Sequence, residues 1–90
     1  MSSIPEGTVE LRSDSRWYRI DITVDPAMRS MRWYDVITSW GPLERGVPQP
    51  QQGTSTVYNG TRPENVAQSV ADIVDRKIEE GFAIHSRELR

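Results

Sequence analysis

Along residues 16–24 apolar and polar side chains alternate without a break. Tyr18, Ile20, Ile22 and Val24 fall on one face, and Trp17, Arg19, Asp21 and Thr23 on the other. A period of two is that of a strand with one buried face. The shorter alternation of Thr8 to Arg12 predicts a strand before it, and Ser13-Asp14-Ser15 reads as the turn between them. Asp25-Pro26 and the residues to Ser30 predict a turn and loop. Met31 to Trp40 predicts a third strand, with Tyr34, Val36 and Trp40 on one parity and Met31, Trp33 and Ile37 on the other. Apolar groups on both faces fit a central strand covered on both sides, or a bulge that shifts the parity midway. Gly41-Pro42 predicts its end. Residues 41–53 carry three Pro, three Gln and three Gly, the composition of an irregular loop. Thr54 to Tyr58 predicts a short strand closed by an Asn59-Gly60 turn.

The pattern then changes period. Val66, Ala67, Val70, Ala71, Val74 and Ile78 recur at spacings of three and four, which predicts one amphipathic helix. Thr61 stands three residues before Glu64, the spacing of a capping box. Gly81 is placed as the left-handed residue after the last turn, with Arg76 and Lys77 at the negative end of the helix dipole. Phe82 is expected to fold back on the helix, and His85 to Arg90 reads as a polar tail. The fold class expected is α+β: a twisted antiparallel β-sheet of about four strands, with one C-terminal helix packed across it. Its core would be Tyr18, Ile20, Ile22, Tyr34, Val36, Val66, Val70, Val74, Ile78 and Phe82. Residues 1–7 and 84–90 would be tails around a single domain, 8–83.

Ninety residues allow one domain with a small core. The chain has no cysteine, so disulfides, thiolate metal sites and cysteine nucleophiles are excluded. His85 is the only histidine and lies near the end of the chain, a poor place for a held base. No phosphate-binding glycine loop or nucleophile elbow occurs. No enzyme activity, cofactor or metal is expected. No apolar run is long enough for a membrane span. The first residues lack a basic then apolar leader, so the expected location is cytoplasmic. Eleven basic against thirteen acidic groups give a net charge of −2, without the basic excess of a strong nucleic-acid binder. Lys77 is the sole lysine beside ten arginines.

The aromatics carry what chemistry remains. Trp17, Trp33 and Trp40 sit in the runs Arg16-Trp17-Tyr18-Arg19, Arg32-Trp33-Tyr34 and Ser39-Trp40-Gly41. Indoles in a small domain commonly build core; beside arginine on a surface they also stack on bases and sugars.

The order of these motifs resembles the WGR domain family, found in poly(ADP-ribose) polymerases and bacterial homologues. The matching residues are Trp17-Tyr18-Arg19-Ile20-Asp21-Ile22, then Tyr34-Asp35-Val36 and Trp40-Gly41, then Arg76-Lys77-Ile78-Glu79-Glu80-Gly81-Phe82. The resemblance spans about residues 8–83. It implies a non-catalytic DNA-binding module using the Trp-Gly strand end. Pro42 stands where the family has its arginine, so that arginine's role does not carry over. The expected nucleic-acid site is Trp40, Gly41 and Arg45, with Arg32 as a phosphate contact. The alternative is a protein-interaction module that uses the Pro-rich loop 42–53 and has lost nucleic-acid binding.

Overall fold

The computed structural model describes residues 6–25 and 32–89. The turn expected at Pro26 and the position of Met31 lie outside them. The chain forms β1 (Gly7–Arg12), β2 (Arg16–Asp25), β3 (Trp33–Glu44), β4 (Val47–Pro48), β5 (Gly53–Gly60), α1 (Pro63–Glu79) and β6 (Ala83–Leu89). These make a curled, wholly antiparallel sheet of six strands where about four were expected. β3 is central: β2 lies on one side, and β5 and the two-residue β4 lie in sequence along the other. β1 pairs with β2, and β6 with β1. The chain crosses from the β5 edge to the β6 edge through α1, which covers the inner face.

The register of β2 against β3 joins Tyr18 to Trp40, Ile20 to Thr38, Ile22 to Val36 and Val24 to Tyr34. These pairs, with Val9 and Leu11 of β1, make the inner face, and Val66, Ile73 and Val74 of α1 pack on it. The period-two and period-3.6 stripes expected from the sequence thus meet. The mixed pattern of β3 has neither origin expected of it: the strand is central in the sheet but the helix covers one face only, and its parity does not shift, since the β2 register is unbroken and the extra residue, Val57, lies in β5 opposite the Val36–Ile37 step.

Four expectations are corrected. First, β3 does not end at Gly41-Pro42; it runs on to Glu44 and turns back through Arg45-Gly46 into β4. Pro42 is tolerated because its carbonyl accepts from the Gln49 amide, at 2.9 Å. In a strand the N–H and C=O of one residue point the same way, so the missing Pro42 donor faces away from β2 and leaves that ladder whole. Second, the polar C-terminal stretch is not a tail. It is edge strand β6, paired with β1 from Gly7↔Leu89 to Arg12↔Ala83. Third, Ile78 is 48% exposed, whereas Ile73 is buried. At 100° per residue Ile78 lies about 120° round from Val66, and Ile73 and Lys77 lie within about 20° of it. Fourth, Thr61 does not cap the helix. Arg62 is the N-cap residue and has no side-chain cap bond. Its amide donates to the Tyr58 hydroxyl at 2.8 Å, so the tyrosine supplies the acceptor there.

On β1 and its β2 neighbours Arg19 and Asp21 the outer face is polar and locally ion-paired. Glu10, 7% exposed, accepts from Arg12 Nε at 2.7 Å and Arg19 Nη2 at 3.1 Å. Burial by itself would raise the Glu10 carboxyl pKa; the hydrogen bonds and charges of Arg12 and Arg19 outweigh it and hold the group below the usual glutamate value.

Two predictions follow from the packing. Val66→Ala removes two methyls from a fully buried site and should cost about 1–3 kcal/mol, while Ile78→Ala should stay within about 0.5 kcal/mol. Urea denaturation checks both, and equal losses would contradict the helix rotation described. Because the Glu10 pKa is depressed in the fold, its contribution is present above the unfolded-state value and is lost as pH falls through the folded-state value. Glu10→Gln should therefore lose about 1–3 kcal/mol near pH 7 and show a flatter acid limb than the parent. Parallel acid limbs would contradict this assignment.

Candidate functional site

The length of β3 creates the site. Its twelve residues extend about 40 Å at 3.3 Å each. The seventeen residues of α1 reach about 25 Å. The helix begins over the Tyr34–Tyr58 end of the sheet and finishes at the Tyr18–Trp40 row, so the rest of the inner face projects beyond it. A groove of about 450 Å³ opens between the last turn of α1 and strands β2, β3 and β5.

Its floor is aromatic. Tyr18 and Trp40 are cross-strand partners whose rings lie 10° from parallel with centroids 6.0 Å apart. The indole leans onto Gly53 of β5, where a Cβ would collide with Trp40 Cζ2. Phe82 stands edge-on to Tyr18, at 6.3 Å and 70°. The helix end explains how Phe82 arrives. Gly81 has φ +100°, the Gly81 amide donates to the Ile78 carbonyl, and the Phe82 amide donates to the Lys77 carbonyl at 2.9 Å. This paired bonding is the Schellman motif expected from Gly81. It turns Phe82 back toward the sheet beside Lys77.

Cations rim the floor. Lys77 Nζ lies 4.5 Å from the Tyr18 ring centroid and 5.5 Å from that of Phe82. It also pairs with Glu80 at 3.1 Å. Arg76 lines the same wall from the helix, and Arg16 lines the open end from β2. Both guanidinium residues are exposed. Three cations thus face one carboxylate. The partial negative charge at the helix C-terminus, about half an elementary charge, does not cancel that excess.

Of the residues expected in the site, Trp40 is in the groove and is half-buried. Gly41 is its neighbour but faces the other side of the sheet. A Cβ on Gly41 would lie 2.8 Å from Trp17 Nε1 and 2.9 Å from the Pro50 carbonyl oxygen. Gly41 therefore makes room for Trp17, which is buried on the outer face and donates from Nε1 to the Gln49 carbonyl at 2.9 Å. Neither Trp40 nor Gly41 is at a strand end. Arg45 is exposed at the β3–β4 hairpin tip with φ 54°, about 16 Å along the strand from Trp40. Arg32 precedes the opposite end of β3, about 26 Å from Trp40 along the strand. The structure does not bring Arg32, Arg45 and Trp40 together.

Arg16, Tyr18, Val57, Arg76, Lys77 and Phe82 join Trp40 instead. Tyr18 and Trp40 share the inward parity in the sequence, but their pairing needs the β2–β3 register. The sole lysine, four residues before Gly81, was a visible signal for the helix end. No family model, characterised protein or solved structure matches the chain. Among the described residues no group of carboxylate or imidazole side chains could hold a metal ion, and no helix is long and apolar enough to cross a membrane.

Gly53→Ala tests the floor. The added methyl must displace the indole, so a loss of about 1–3 kcal/mol is expected, with a changed near-ultraviolet circular dichroism spectrum. An unaltered spectrum and stability would show that Trp40 does not rest on Gly53.

Proposed function

We propose that this chain is a non-catalytic nucleic-acid-binding module whose site is the groove at the end of α1. The observation that carries the reading is the aromatic floor, in which half-buried Trp40 and Phe82 pack on buried Tyr18, rimmed by Arg16, Arg76 and Lys77. Aromatic faces stack on bases, and guanidinium groups meet phosphates with two parallel hydrogen bonds. Lys77 is already held by two rings and Glu80, so Arg16 and Arg76 are the phosphate ligands in this reading. The groove volume lies in the range of sites for one small guest, roughly 300–1,000 Å³. The resemblance to the WGR family supports the same ligand class and the same tryptophan, though with different arginines.

The alternative, a protein partner on the Pro-rich segment 42–53, has less support. That segment is fastened by its backbone: the Gln49 amide donates to Pro42, the Gln52 amide to Trp40, and the Gln49 carbonyl accepts from Trp17. It is a buttress for the sheet more than a free recognition loop.

With two phosphate contacts on a chain of net charge −2, binding should be weak and shallow in salt dependence. A slope of about −1.4 in log affinity against log salt is expected for a short oligonucleotide. Reversing both charges, Arg16→Glu with Arg76→Glu, should lower affinity by about tenfold or more at about 50 mM salt and leave the fold intact, since both side chains are exposed. Fluorescence titration with an eight-nucleotide strand checks this. Absence of binding by the parent, or unchanged binding by the double variant, would refute the site.

A further inference from the structure

Resting on that reading, we infer that the groove takes unpaired bases of a single strand, with little regard to sequence, and does not take a paired duplex.

The stacking surface is recessed. Tyr18 is 9% exposed and Trp40 is half-buried. The helix end, with Phe82 and Lys77, walls one side of the floor. The other side is walled by Val57, and a β-bulge puts it there. Tyr58 pairs with Val36 and Thr56 with Ile37, which leaves Val57 as the additional residue between them. Bulges re-aim side chains beside functional sites. Here the bulge adds an apolar side chain, 40% exposed, to the groove lining while Tyr58 keeps its place on the core and at the helix start.

A base inside a duplex cannot use such a floor. Its ring faces are covered by stacked neighbours, and only its edges are presented in the grooves. To reach Trp40 it would have to leave the stack, at a cost that an already single strand avoids. The cations do not offer the duplex another route. Arg76 and Lys77 stand in the last turn of α1 and Arg16 on β2, so the cations border the recess that holds the stacking surface.

The floor itself offers little that tells one base from another. Thr38 is 1% exposed and its hydroxyl donates to the Ser55 carbonyl at 3.3 Å. The other polar groups of the groove, Ser55, Glu80 and the three cations, stand at its walls and rim, so the floor presents mainly ring face to a guest. Every base has a π-face, so such a platform is tolerant of sequence.

Four probes of equal length separate the outcomes: a twelve-nucleotide oligothymidylate, a single-stranded oligoadenylate, the duplex of the two, and a twelve-unit strand of abasic sites. Each is titrated against the full chain at low salt and followed by tryptophan fluorescence and by anisotropy of a label on the probe. The oligothymidylate should bind and quench emission. Both the duplex and the abasic strand should bind about tenfold or more weakly, because stacking on an aromatic platform is worth about that factor per base. A single-stranded oligoadenylate should bind within about threefold of the oligothymidylate. A duplex held as tightly as the single strand overturns the strand preference and leaves the nucleic-acid reading standing. An abasic strand held as tightly as oligothymidylate overturns stacking. Failure of all the probes to bind removes the nucleic-acid reading, and this inference with it.

Discussion

The antiparallel ladder that β3 makes with β2 and β5 fixes everything that follows at the site. It aligns Tyr18, Trp40 and Gly53 in one row across the sheet. A slip of one residue would send each side chain to the opposite face. The row would then lose its rings, and Ile20, Ile22 and Val36 would leave the core. The same ladder carries β3 past the end of a helix too short to cover it. The site is therefore not an added feature. It is the part of the inner face beside the last turn of a helix shorter than the strand it covers, and the Schellman turn at Gly81 returns Phe82 to its border beside Lys77.

Two tryptophan–glycine pairs stabilise this end of the sheet from opposite faces. Trp40 rests on Gly53 inside, and Trp17 rests against Gly41 outside. Trp40 and Gly41 are adjacent in sequence but serve different faces, because side chains alternate along a strand. The dipeptide thus has a packing rationale of its own. The indole of Trp17 is closed off by the 49–50 backbone and stacked by Arg19, whose guanidinium carbon lies 5.4 Å from the ring centroid. Trp40, by contrast, remains half-open over the groove. Burial separates the structural Trp17 from Trp40, and position separates Trp33, which is also half-buried but stands at the start of β3 and does not line the groove.

Side-chain periodicity made much of this legible. The inward face of β2, the helical stripe through Val66, Val70 and Val74, and the left-handed Gly81 could all be read from residue order. Features decided by the backbone could not. β6 is a polar edge strand held to β1 by its ladder, and no apolar alternation announces it. The passage of β3 through Pro42 depends on which side the missing donor faces. The helix start depends on Tyr58, which the bulge and the β3–β5 register bring to Arg62. The same limit applies to the site. Trp40 was visible as a candidate, but its companions Tyr18, Arg16, Arg76 and Phe82 come from three separate segments. Arg32 and Arg45 are close to tryptophans in sequence and are carried away along an extended strand.

In the proposed site Trp40, alone of the three indoles, meets a ligand. The direct measurement is an NMR titration of the three indole N–H resonances, with the backbone amides, on addition of a single-stranded oligonucleotide. The account predicts shifts of the Trp40 indole and of amides around Arg16, Tyr18, Arg76, Lys77 and Phe82, while the Trp17 and Trp33 indoles stay in place. Shifts centred on Arg32, Arg45 or the 47–52 segment, with Trp40 unmoved, would contradict it.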